Sequence, residues 1–363
     1  MGDSYATGVG AGKNLDKFSL CYRFSNAYAP ALQRDVLAPQ SQLKFNFPAC
    51  AGKLFAKIRS EQLGDGWGKA PGFVTISMGG NDIGFKELVT KCIYGMTLFT
   101  LLTPCQKLID AANGKLDRGE ILQGAKDTLN AILAKSRKQG LTNSFKIYVI
   151  GYTRFFNEVT TQCNGVRGLK TPKFLQWGEP EYLTIELRKK LNALADKLNM
   201  NLLEAVKQTA GTPAQVVWVP INDLFEKHRF CDRNEPNPDD PQTWIFTFYA
   251  DDVAPGKAKR SPAALPLQPI PPPGPPPAPP LSDGEKRGEA LYKSIPPIQA
   301  IHEGKSDKAL TTEEFIKLIH DAADGDETKY VEGVNNVKVF HPKSIGHQAI
   351  EKRLQEVIQT GHH

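Results

Sequence analysis

Three apolar runs, Phe73 to Met78, Phe145 to Ile150 and Ala214 to Val219, stand out along the chain. Each is rich in β-branched residues, has Gly or Pro close by, and lacks the polar alternation of a half-exposed strand. Such runs predict strands buried on both faces. Between them the pattern changes period: Leu187, Leu191, Leu194 and Leu198 fall on one face at helical spacing. A last helix is predicted to open at Pro342, a residue suited to a first helical position, and to carry Ile345, Ile350, Leu354 and Val357. Val337 to Phe340 just before it reads as strand-like. Strand and helix in alternation predict an α/β fold with a parallel sheet covered on both faces, and ligands in such sheets bind beyond the carboxyl ends of the strands.

The pattern breaks after Asp252. Twelve of the 27 prolines lie between Pro255 and Pro280, a density that can neither feed a sheet ladder nor continue a helix and predicts an extended polyproline spacer. Within the same interruption Thr311 and Glu314 form a capping-box pattern ahead of Phe315, Leu318 and Ile319, predicting one short helix. The expected organisation is therefore residues 1–252 as the main part of one domain, 253–330 as a proline-rich insertion, and 331–360 as the domain's C-terminal part.

With 40% hydrophobic and 23% charged residues, 363 residues suffice for one sizeable core. A net charge of +6, without clustered Lys/Arg or a reading motif, gives no basis for nucleic-acid binding. The run Lys257 to Arg260 reads as a solvated linker edge. The longest apolar stretch, Cys92 to Leu102, is too short to span a bilayer, and no basic, apolar leader is visible at the start. Cys21, Cys50, Cys92, Cys105, Cys163 and Cys231 include no CxxC pair and no His at metal-ligand spacing, so neither zinc nor another metal is expected. Six scattered cysteines suit three disulfides and an oxidising compartment. Nearest-neighbour pairing is expected, each bridge closing a local excursion.

Three distant segments combine chemically: Gly2-Asp3-Ser4-Tyr5; Gly79-Gly80-Asn81-Asp82 directly after the apolar run ending at Met78; and Phe340-His341-Pro342, followed by Gly346 and His347. A serine hydroxyl becomes a useful nucleophile when an imidazole accepts its proton. A side-chain amide at a Gly-rich strand end is suited to hold the negative oxygen that develops on an attacked carbonyl. No GxSxG elbow is present, which argues against the usual α/β-hydrolase arrangement.

These segments resemble the blocks of the SGNH (GDSL-type) hydrolases, in the secreted bacterial and fungal esterase-lipase branch. GDSYATGVGAG, GGNDIGF and FHPKSIGH match in the family's order; PACAGKLF is a looser match, and CYRFSNAYAPAL, GYTRFFNE and HRFCD add to the likeness. The resemblance covers roughly residues 1–250 and 335–360. It implies Ser4 as nucleophile, His341 rather than His347 as base, and an oxyanion hole from the Ser4 and Gly52 amides and the Asn81 side chain. Two departures matter. Where full-triad members carry Asp three residues before the base, this chain has Lys338, so its backbone carbonyl is expected to orient the imidazole. The strand that should precede the nucleophile also has little room before Gly2, and an upstream truncation is the corresponding expectation. Asp3 and Asp82 are read as acceptors for backbone N–H groups, and His347 and His228 as packing residues. The apolar stretch from Ile93 to Leu102, bounded by Cys92 and Cys105, reads as core packing, with cover over an acyl groove as the sharper alternative.

Pattern and resemblance together lead to a three-layer α/β/α, flavodoxin-like, doubly wound and mostly parallel five-stranded sheet, its first strand possibly cut short. The expected activity is cofactor-free hydrolysis of small-molecule or lipid carboxylic esters through an acyl-enzyme, by a secreted monomer. A carbohydrate acetyl esterase and a catalytically dead surface binding protein are the alternatives.

Overall fold

The computed structural model describes residues 1–16, 19–37, 45–64, 67, 71–95, 103–141, 145–170, 180–209, 215–232, 242–247, 250, 252 and 338–360. The proline-rich segment, its expected helix and residues 96–102 lie outside them.

The apolar runs form three parallel strands, β1 (Phe73–Ile76), β2 (Lys146–Ile150) and β3 (Val216–Val219), in the order β1-β2-β3. Phe73 pairs with Lys146 and Ile147 with Val216, and nearly every strand residue is buried. On the free side of β1 a parallel bridge joins Gly2 to Ser77, and the Met1 amine donates to the Thr75 carbonyl at 2.8 Å. The five-strand expectation is thus met in part. Among the described residues the first segment pairs at one bridge only, because the chain turns into a helix two residues after Gly2.

Among the described residues the α-helices are α1 (Ser4–Thr7), α2 (Tyr28–Leu32), α3 (Phe55–Lys57), α4 (Phe85–Leu88), α5 (Cys105–Asp117), α6 (Glu120–Lys138), α7 (Ile185–Thr209) and α8 (Ser344–Thr360). The helices α5, α6 and α7 pack on one another, α8 packs on α2, and β3 touches both α7 and α8, giving three layers. The leucines predicted to share a face, Leu187, Leu191, Leu194 and Leu198, are all buried on α7; each such side chain contributes roughly 1.5–3 kcal/mol of transfer free energy.

Two local expectations are corrected. Residues 338–340 make a turn rather than a strand, with the His341 N–H donating to the Lys338 carbonyl at 3.0 Å and Phe340 at φ +63°. The left-handed conformation reverses the chain and cannot continue a ladder. The last helix opens at Ser344, not Pro342, because Pro342 forms an antiparallel bridge with Ile245 and the Lys343 N–H donates to the Trp244 carbonyl. The Asp252 carboxylate accepts the Ser344 N–H at 2.8 Å, satisfying one of the helix's orphan donors.

Three disulfides join Cys21–Cys50, Cys92–Cys105 and Cys163–Cys231, the nearest-neighbour pairing. The two flanks of the proline-rich segment also meet. Lys338 Nζ donates to the Ala250 carbonyl at 2.9 Å, and the Phe340 N–H to the Phe246 carbonyl at 2.8 Å.

Candidate active site

Ser4 is the first residue of α1, the short helix entered from the segment beside β1. Asp3 caps that helix, accepting the Tyr5 N–H at 3.0 Å. Gly2 (φ +125°) must be glycine, since a Cβ there would lie 2.2 Å from the Ser77 carbonyl oxygen. His341 arrives from the other end of the chain. The reversal at Phe340 turns its ring inward, and that conformation is over-determined: Phe340 is buried against Phe155, Phe156 and Phe230, and its carbonyl accepts the Tyr5 hydroxyl at 3.1 Å.

The result is a contact of 2.7 Å between His341 Nε2 and Ser4 Oγ. On the far side of the ring, Nδ1 lies 2.9 Å from the Val339 carbonyl and 3.2 Å from that of Lys338. With carbonyls at Nδ1, the proton belongs on Nδ1, leaving Nε2 as the acceptor toward Ser4. The sequence pointed to Lys338 alone; Val339 is the nearer partner, and nothing in its side chain could have signalled it. Burial pushes the His341 pKa down to about 4, against the opposing pull of the two carbonyls. The imidazole is therefore neutral, and able to accept a proton, through the neutral range.

Gly52 and Asn81 line the same cleft as Ser4 and His341. The Gly52 loop is placed by the Cys21–Cys50 disulfide and by two backbone bonds, Cys50 N–H to the Gly2 carbonyl and Ala51 N–H to the Cys21 carbonyl. Its left-handed φ of +77° suits glycine. The Asn81 amide donates to the Lys53 carbonyl at 3.2 Å, joining the two loops.

Beneath these residues lies a polar cluster that the sequence left without a centre. The Tyr152 hydroxyl donates to Asp3 Oδ2 and accepts the Gly80 N–H at 3.1 Å; its ring packs 4.8 Å from that of Tyr5. One phenol thus ties the Ser4 segment to the Asn81 segment. Ser77 Oγ donates to the other Asp3 oxygen at 3.1 Å. Burial raises the Asp3 pKa to about 6 against these donors, of which Tyr152 is the strongest. Asp82 accepts the Phe55 N–H at 3.2 Å and is likewise raised to about 6 by burial. Tyr152 belongs to the GYTRFFNE stretch, which was visible as a likeness but carried no role.

The two other histidines among the described residues are placed apart from this contact. His347 is wholly buried near Tyr28, with no hydrogen-bond partner for either ring nitrogen among the described residues. His228 stacks on Trp244 with ring centroids 3.7 Å apart.

No protein-family model matches the chain. It is 32% identical over 170 residues to "Lipase 1" of Streptomyces coelicolor, 47% of this chain and 57% of that protein, and 37% identical over 92 residues to "Lipase" of Streptomyces rimosus, 25% and 32% respectively. The chain thus spans about half and a third of the lengths of these two curated relatives. Among solved structures it resembles phospholipase A1 from Streptomyces albidoflavus NA297, with a TM-score of 0.50 at 22% identity over 68% of this chain and 84% of that one. Its α/β fold is that of this phospholipase structure, and the sequence blocks that resemble the SGNH hydrolases are the segments that line one cleft here.

Proposed function

We propose that the protein is a serine hydrolase of lipid-type carboxylic esters, working through an acyl-enzyme with Ser4 as nucleophile and His341 as general base. The 2.7 Å contact between Ser4 Oγ and a neutral His341 Nε2 is the observation that carries this reading. In it, His341 takes the Ser4 proton as Oγ attacks the ester carbonyl, and the proton passes to the leaving alkoxide. The resulting acyl-serine is hydrolysed by a water that His341 deprotonates. The Ser4 and Gly52 amides and the Asn81 amide hold the oxyanion. The Val339 and Lys338 carbonyls fix the imidazole tautomer, and being neutral they stabilise the imidazolium less than a carboxylate would.

The two lipase relatives and the phospholipase fold support lipid esters over acetylated sugars. Three disulfides support a secreted protein. The flanks that meet around Asp252, Lys338 and Phe340 support one domain split by the 253–330 insertion.

Hydrolysis of p-nitrophenyl butyrate tests the reading. Ser4→Ala is expected to lose at least about 10³-fold in kcat, and mass spectrometry after an alkyl phosphonate inhibitor should place the adduct on Ser4 in the unmodified protein. Turnover that survives Ser4→Ala rejects the mechanism, and a folded protein without turnover on any ester favours a binding protein.

A further inference from the structure

Behind the cleft lies a second, small apolar cavity between α4 and α7, walled by Leu88, Phe155, Leu191, Leu194 and Leu198. Gly80, Phe85 and Tyr152 line both spaces and so form the partition between them. Two parts of that partition are anchored, since Gly80 and Tyr152 are hydrogen-bonded to each other and through Tyr152 to Asp3. The Phe85 ring itself makes no polar bond; it is stacked on Phe155 at 4.9 Å and edge-on to Phe340 at 6.3 Å. The cavity offers a guest only hydrocarbon and aromatic surface, apart from a phenol already engaged. A water there would find too few partners, whereas an alkyl chain would match its walls.

We propose that Phe85 sets the acyl-chain length of the substrate: a chain esterified at Ser4 ends against the Phe85 ring, and the cavity behind it is a closed extension of the acyl site. This rests on the ester-hydrolase reading above. The native substrate class is then esters of shorter linear acyl chains. Opening the partition should admit further methylenes, each worth up to about fourfold in kcat/KM at the usual transfer free energy.

The test is the ratio of kcat/KM for p-nitrophenyl octanoate to that for the butyrate, taken within each protein so that the folded fraction cancels. Phe85→Ala, with Phe85→Leu as a milder variant, should raise the ratio about tenfold or more. Adding Ala195→Leu, whose side chain refills the cavity, should return the Phe85→Ala ratio to within about threefold of the unmodified protein. An unchanged ratio in both Phe85 variants, with Ser4-dependent turnover present, overturns the inference and leaves the hydrolase reading standing. A ratio that rises but does not respond to Ala195→Leu also overturns it, because the extra chain then lies elsewhere. Absence of Ser4-dependent turnover on every ester rejects both.

Discussion

Replacing Tyr152 by Phe removes one oxygen and keeps the ring that packs on Tyr5. That oxygen serves two buried groups at once: it donates to Asp3 and accepts from the Gly80 N–H. Leaving the Gly80 N–H unpaired costs about 1–3 kcal/mol, and losing a bond to an ionised Asp3 about 1.5–3 kcal/mol more. The pH dependence separates the two. Asp3 has a folded-state pKa of about 6, above its ordinary 3.8. Below the ordinary value the group is protonated in folded and unfolded chains alike and carries no penalty; as pH rises through 3.8 toward 6 the unfolded chain ionises first and stability is lost. Without its strongest donor the Asp3 pKa climbs further, so the added loss appears on the alkaline side. Urea unfolding followed by tryptophan fluorescence should therefore show Tyr152→Phe destabilised by about 3–5 kcal/mol near pH 8 and by only about 1–3 kcal/mol near pH 5. Equal losses at both pH values would refute the coupling of Tyr152 to a charged Asp3, and a loss under about 1 kcal/mol near pH 8 would show that the phenol bonds neither group tightly.

Two further outcomes follow from the same geometry. Because burial holds His341 near 4, the acid limb of kcat/KM should fall well below the ordinary histidine range; a midpoint at the ordinary 6.5 or above contradicts a buried, carbonyl-tied base. The same depressed pKa means that this histidine's contribution to stability is lost as pH falls from 6.5 through about 4, so rates at the acid end need a check that activity returns on neutralisation. Asn81→Ala should lower kcat about 10²–10³-fold with a smaller change in KM; a raised KM with kcat intact would assign Asn81 to substrate binding instead of the oxyanion.

The legible features of this protein were those set by neighbours in sequence. Apolar runs gave β1, β2 and β3 nearly to the residue, and four leucines at helical spacing gave the buried face of α7, because strand and helix periods are local properties of the chain. Ser4, Asn81 and His341 were named because block order is written in the sequence. Their meeting across 337 residues was not; it required β1 to carry Asn81 out beside the Ser4 segment and a left-handed Phe340 to turn the histidine inward. Tertiary packing alone decided the carbonyl of Val339, the phenol of Tyr152 under both loops, and Asp252 at the start of α8. A backbone carbonyl has no residue type to betray it, and a buried tyrosine in an apolar stretch reads as core until its hydroxyl finds partners from segments far apart in the sequence.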